Sequence, residues 1–133
     1  MSGIRVVVIE RELDIVTARQ AGRELAAENG FSPTDQTLIA TAISEVARNI
    51  VVYAQQGEIV VSRVDERGRI GIQVIARDRG PGIENLELAL RDGYSTKQSL
   101  GLGLPGARRL MDDFGIESEL GHGTVVTMKK WVR

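Results

Sequence analysis

A chain of 133 residues with an apolar fraction of 42% fits one domain with one core and leaves no room for a second. Its 17 basic and 18 acidic residues are well mixed, for a formal charge of -1, so nothing marks a nucleic-acid or membrane-surface binder, and a protein is the expected partner. The absence of cysteine excludes a disulfide framework, a thiol nucleophile and a thiolate metal site, and makes a reducing cytoplasm the default compartment.

Residues 5–10, rich in valine and isoleucine, read as a first strand. That run is too short for a signal-peptide core or a membrane span, and no later run is expected to approach spanning length. Ile15, Val16, Ala18, Ala21 and Leu25 recur at helical spacing over residues 13–29, and Gly30 stops that helix. Ser32 can cap a second helix with Pro33 in its first position, where proline's missing donor costs nothing, and the pattern runs on to about Tyr53 or Ala54. Residues 58–65 and 70–78 are strand-like runs joined by Glu66-Arg-Gly-Arg69, a hairpin that delivers Asp78 into a glycine turn. Residues 85–92 read as a short helix, 93–99 as a polar loop, and 104–114 as a third long helix despite Pro105 near its start. Residues 116–119 and 124–131 close the chain as a second hairpin. Two helices precede most of the strands, and the strands come as hairpins. The expected fold is therefore α+β, one domain over residues 1–133, a two-layer sandwich with helices on one face of a mixed, largely antiparallel sheet.

Turning about 100° per residue along the second helix sets Asn49 about 40° from Glu45, while Ile39, Ile43, Val46 and Ile50 form the core stripe. A carboxylate and an amide thus lie side by side at the edge of the buried face. Taken alone, a solvated polar stripe looks the same. Asp78 ends an apolar strand and is followed by Gly80, Pro81 and Gly82, ordinary turn residues. Two missing side chains would also let a flat ring approach the backbone while the carboxylate accepts from an exocyclic amine such as adenine's. Gly101, Gly103 and Gly106 satisfy the dinucleotide-binding spacing, but the polar stretch before them is no strand and too little chain follows for a Rossmann unit. A glycine-rich lid leading into a helix N-terminus, whose free amides suit a phosphate chain, is the better reading. Lys97, just before it, could reach a terminal phosphate. Gly121, Gly123 and Thr124 make a tight turn, and His122, the only histidine, is poorly placed for catalysis, metal binding or a phosphohistidine relay. The Walker phosphate loop, the protein-kinase triplets and the serine-hydrolase elbow are absent.

In order along the chain, Glu45-Val-Ala-Arg-Asn49, Asp78-Arg-Gly-Pro-Gly82, Gly101-Leu-Gly-Leu-Pro-Gly106 and Gly121-His-Gly-Thr124 resemble the four motifs of the GHKL superfamily of ATP-binding domains. That superfamily is shared by gyrase-type topoisomerases, heat-shock chaperones, histidine kinases and bacterial anti-sigma-factor kinases. Tyr94-Ser-Thr-Lys97 also looks like the opening of the ATP lid in histidine kinases. Ile50 departs from the small residue that often follows the asparagine in that branch. A closer likeness, to the small serine kinases of the general stress pathway, is carried by Asp14-Ile-Val-Thr-Ala-Arg-Gln20, by Thr41-Ala-Ile-Ser-Glu-Val-Ala-Arg-Asn-Ile50, by Gly101-Leu-Gly-Leu-Pro-Gly106, by Arg109-Leu-Met-Asp112 and by the terminal Lys130-Trp-Val-Arg133.

The resemblance implies a Bergerat-type fold and a cytoplasmic serine/threonine-protein kinase. Its substrate would be a STAS-domain antagonist or scaffold protein of the stressosome that sequesters it beforehand; once released, it would activate a PP2C-type phosphatase. ATP and Mg2+ are implied with it. Asn49 would hold the magnesium, Glu45 would be the general base, and Asp78 would read adenine, with Gly80 and Gly82 admitting the ring. Lys97, Gly101, Leu102, Gly103, Leu104 and Gly106 would follow the phosphates, and Thr124 would support Asp78 from the next strand. An alternative is a sequestering module that binds ATP only to change its affinity for a partner. Glu45 favours the kinase, because binding alone needs no base. A free ATPase, like the chaperone members, is a third class.

Overall fold

Alternation at period two brings Arg5, Val7 and Ile9 inward along β1 (Ile4–Ile9). In the computed structural model, which describes residues 3–82 and 103–133, the chain leaves β1 through a turn held by Asp14. The Asp14 Oδ2 accepts from the Glu10 and Arg11 amides at 2.9 and 3.1 Å. Helix α1 (Leu13–Glu28) buries Ile15, Ala18, Gly22, Leu25 and Ala26. It ends at Gly30, whose φ of +86° lets the Phe31 amide reach back to the Ala26 carbonyl at 3.1 Å. Helix α2 (Pro33–Asn49) then starts as expected: the Ser32 Oγ accepts from the Asp35 amide at 3.1 Å, with Pro33 in the first turn.

Beyond Asn49 the helix widens into a π turn, Ile50–Ala54, closed by Gln55 in the left-handed region with its amide on the Ile50 carbonyl at 2.7 Å. Together Pro33–Ala54 spans 22 residues, and an 18-residue stretch within it reaches a mean hydropathy of 1.2, long and apolar enough by length and composition to cross a membrane. That corrects the expectation that nothing approaches spanning length. The apolar side of this helix is nonetheless committed to the core, because Ile39, Ala42, Ile43, Val46, Ala47 and Ile50 are each at most 2% exposed within one cluster with the sheet.

Strands β2 (Gly57–Glu66) and β3 (Arg69–Asp78) are joined by Arg67 and Gly68, both at positive φ, the two-residue turn whose twist matches a hairpin. With β4 (Asp113–Glu119) and β5 (Gly123–Trp131) the described strands form one sheet in the order β1-β2-β3-β5-β4, antiparallel at every pairing. The sheet is thus not mixed. Two helices between β1 and β2 mean three changes of direction, so β2 returns antiparallel to β1, and the two hairpins are antiparallel by construction.

The third helix is shorter than its sequence pattern. Helix α3 (Gly103–Leu110) stops where the expected helix would run on to Phe114, and β4 starts at Asp113 rather than 116. Lys130, 6% exposed, donates from Nζ to the Leu110 carbonyl at 2.8 Å and so closes the helix end. Asp112 turns to the sheet, where it accepts from the Trp131 amide at 2.8 Å and pairs with the Arg133 guanidinium. Phe114 pairs with Met128 and packs on the core from a strand position. The helix expected over residues 85–92 and the loop over 93–99 lie outside the described residues.

Burial would raise the Asp112 carboxyl, but the Arg133 side chain, the Trp131 amide and the nearby Lys130 outweigh it and hold the carboxyl below its ordinary value. A carboxylate depressed in the folded state contributes stability above its unfolded pKa, about 3.9, and loses it as pH falls through the folded value. Urea melts taken from about pH 5 down to pH 3 should therefore lose stability more gently in Asp112→Asn than in the parent. Parallel curves would remove Asp112 from the acid response.

Candidate active site

Four segments remote in sequence meet where α2 ends and where β3 and β5 approach each other. Glu45 lies in the last turns of α2 and is 8% exposed, so its carboxylate faces the interior rather than solvent. Its Oε1 accepts from the Gly103 amide at 2.8 Å, a bond between residues 58 apart in sequence. Its Oε2 is 3.7 Å from the Arg48 guanidinium, one turn on. Asn49, half-buried, ends α2, and its side chain caps nothing in the π turn that follows.

The π turn carries Ala54 against Gly80. A Cβ at Gly80 would lie 2.5 Å from the Ala54 Cβ and 2.8 Å from its Cα. Gly82 has φ +79°, and a Cβ there would come within 2.5 Å of the Glu119 carbonyl. Both glycines are thus demanded by the protein's own backbone, before any ring is considered. Between them and the sheet, Asp78 is 8% exposed and anchored at one oxygen. Its Oδ1 accepts from the Gly80 amide at 2.8 Å and the Thr124 amide at 3.3 Å, while Oδ2 accepts from none of the described residues. Thr124, 4% exposed, has its hydroxyl 2.8 Å from that of Ser118 on β4.

Helix α3 begins at Gly103, with φ +65°. Leu104 and Gly106 are buried in its first turns, and the Leu104 side chain belongs to the core, so its amide is what it can offer a phosphate. Lys97, Gly101 and Leu102, expected along the phosphates, lie outside the described residues. His122 is exposed in the β4–β5 turn, 3.9 Å from Glu119. Among the described residues no group of three or more metal-ligating side chains gathers.

Two hydrogen bonds therefore join the motifs in pairs, Glu45 to Gly103 and Thr124 to Asp78, and the π turn that follows the first motif packs on the second through Ala54 and Gly80. Residues 10–130 match the histidine kinase-like ATPase domain. The chain belongs to that family. It is 50% identical over 127 residues to the serine/threonine-protein kinase RsbT of Bacillus subtilis, with 96% of each chain covered. Against the anti-sigma F factor of a Thermoanaerobacter species it is 32% identical, over 71% of this chain and 68% of that one. The crystal structure of the RsbU and RsbW domains of a Mycobacterium tuberculosis protein superposes with a TM-score of 0.61 at 26% identity, covering 97% of this chain and 33% of that one. The mycobacterial sensor histidine kinase MprB shares the fold at 14% identity and a TM-score of 0.59 over 97% of both chains.

Within this histidine kinase-like ATPase domain, sequence reading gave no role to Ser118 or Gly57. Both lie outside the four motifs. The available signal was hairpin register: counting back from the Gly121-His-Gly-Thr124 turn pairs Ser118 with Thr124. The ion pair of Arg48 with Glu45 was likewise not anticipated from the sequence. Because Gly80 is packed against Ala54, Gly80→Ala should lower stability by about 1–3 kcal/mol in urea melts, and Ala54→Gly in the same chain should recover part of that loss. An undiminished Gly80→Ala would show that the turn has room the packing denies.

Proposed function

We propose that this chain is a cytoplasmic serine/threonine kinase that passes the γ-phosphate of ATP to a STAS-domain antagonist or scaffold protein of the stressosome. Release from that partner then lets it activate a PP2C-type phosphatase. The kinase class rests on 50% identity to a serine/threonine-protein kinase over 96% of both chains, and a regulatory, partner-switching role is supported by the anti-sigma factor relatives. The STAS acceptor and the phosphatase are drawn from the resemblance to stress-pathway serine kinases. The observation that supports the site is a pair of hydrogen bonds between motifs remote in sequence, Gly103 to Glu45 and Thr124 to Asp78.

At the base end, Asp78 would accept the adenine amine on Oδ2 while its other oxygen stays anchored to the backbone. At the phosphate end, the amide of Gly103 opens a helix of eight residues and would turn to the anionic chain. Asn49 fits a magnesium site: its amide oxygen is a hard donor left free by the π turn, and magnesium draws most of its ligands from water and phosphate. When bound, the ion neutralises phosphate charge. Glu45 would accept the proton of the attacking hydroxyl as the new oxygen–phosphorus bond forms and the bond to the β–γ bridging oxygen breaks. Its buried position one turn from Asn49 supports that role.

The Glu45–Gly103 bond also favours a second reading. A carboxylate held by a main-chain amide is not free at that oxygen to act as a base. A chain that kept this bond with ATP in place would be a sequestering module with little transfer.

Two variants separate these roles. Asp78→Asn exchanges a charge-assisted hydrogen bond for a weaker one, and ATP affinity by calorimetry should fall about 10- to 150-fold. Unchanged affinity would remove Asp78 from the adenine site. Glu45→Gln should bind ATP with near-parental affinity yet transfer phosphate about 100-fold or more slowly to a STAS-domain protein, read as labelled phosphoserine. Equal transfer by parent and variant would exclude the general base, and no transfer by the parent would leave the sequestering module.

A further inference from the structure

Glu45 and Arg48 stand one turn apart on α2, with the glutamate on the N-terminal side, the favourable order for an ion pair along a helix. Both oxygens of the Glu45 carboxylate are engaged, by groups of different kinds. Oε1 accepts from the Gly103 amide at 2.8 Å, and Oε2 lies 3.7 Å from the Arg48 guanidinium. The Arg48 side chain is 38% exposed, and as a surface pair such a contact contributes little to stability.

The two partners differ in what else they can serve. The Gly103 amide opens α3, where a phosphate competes for it. Arg48 belongs to the same helix as Glu45, so its reach to the carboxylate does not depend on what α3 has bound. Once Gly103 has turned away, Arg48 is the one partner left to Glu45 among the described residues. A buried carboxylate without a partner is unfavourable, and its last torsion is broad; one held at Oε2 presents Oε1 in a defined direction. At 3.7 Å the pair has room to tighten, as catalytic contacts commonly do on ligand binding.

We infer that Arg48 is a positioning residue for the transfer, acting through Glu45: it keeps Oε2, so that Oε1, the oxygen given up by Gly103, takes the proton of the attacking hydroxyl. The hydroxyl oxygen forms its bond to the γ-phosphorus while the bond to the β–γ bridging oxygen breaks and its electron pair leaves on ADP. The proton passes to Oε1 and from there to water. This inference rests on the reading of Glu45 as the general base.

The test measures ATP affinity by calorimetry and single-turnover transfer of labelled γ-phosphate to a STAS-domain protein. It uses the full chain as the parent, Arg48→Ala, Arg48→Lys, Glu45→Gln and the double variant of Arg48→Ala with Glu45→Gln. Arg48→Ala should bind ATP within about twofold of the parent yet transfer about tenfold more slowly, because a misdirected base lowers rate and not affinity. Arg48→Lys should recover most of the rate, since the pair is a single contact rather than a fork. Beside Glu45→Gln, Arg48→Ala should cause no further loss. A parental transfer rate in Arg48→Ala overturns the role, and so does a tenfold loss that persists beside Glu45→Gln. A loss of rate matched by an equal loss of ATP affinity makes Arg48 a phosphate ligand and overturns it as well. Should the alanine variant fail to fold, Arg48→Gln, which keeps a long polar side chain without the charge, must show the same split between rate and affinity or the role falls. No transfer by the parent, or full transfer by Glu45→Gln, removes the base beneath the inference, and the inference with it.

Discussion

Asp78 stands where three stretches of backbone close on one residue, and the rest of the site depends on that closure. A Cβ at Gly123 would collide with the Asp78 carbonyl, and one at Gly57 would meet the Arg77 carbonyl and lie 3.1 Å from the Asp78 Cβ. The turn after Asp78 is held against the π turn at Gly80. Side chains are excluded at all three positions by the protein itself. The result is a carboxylate held at one oxygen by two amides, on a residue closely packed by main chain.

The helical side of the site answers to the same constraint. A regular α-helix continued from Asn49 would place its last residues differently; the i→i+5 turn at Ile50–Ala54 brings Ala54 onto Gly80 and lets the chain turn through Gln55 into Gly57. Such π turns are rare and cluster at functional sites, and here the cause is visible. The segment that ends the Glu45–Asn49 helix must also pack the Asp78 turn.

Much of this was legible from local chemistry. The Ser32 cap with Pro33, the Gly30 stop and the Arg67-Gly68 turn are decided by residues within a few positions of one another, and each formed as its sequence suggests. What was not legible depends on partners far along the chain. The apolar pattern over 104–114 is helical on paper, yet Lys130 and Trp131, at the other end of the sequence, take Leu110 and Asp112, so the helix ends at Leu110 and Asp113 and Phe114 open a strand. The π turn, the need for glycine at 57 and the Ser118–Thr124 pair likewise arise only when the sheet is assembled. Gly80 and Gly82 were expected as openings for a ring; their packing shows that a glycine motif can be required by the fold that builds a site as well as by a ligand in it.

The two ends of the site are built with unequal rigidity. The Asp78 end rests on three paired strands, two backbone amides and close-packed main chain. The Gly103 end is tied to Glu45 by one hydrogen bond between helix termini. A bond of that charge-assisted kind contributes about 1.5–3 kcal/mol, an amount that an anion at the N-terminus of α3 can offset. The Gly103 amide cannot point at the Glu45 oxygen and at a phosphate together. If Glu45 is the base, entry of the phosphate chain and release of that base are therefore one exchange of a single donor. The carboxylate would become available only when the group it is meant to help transfer has arrived.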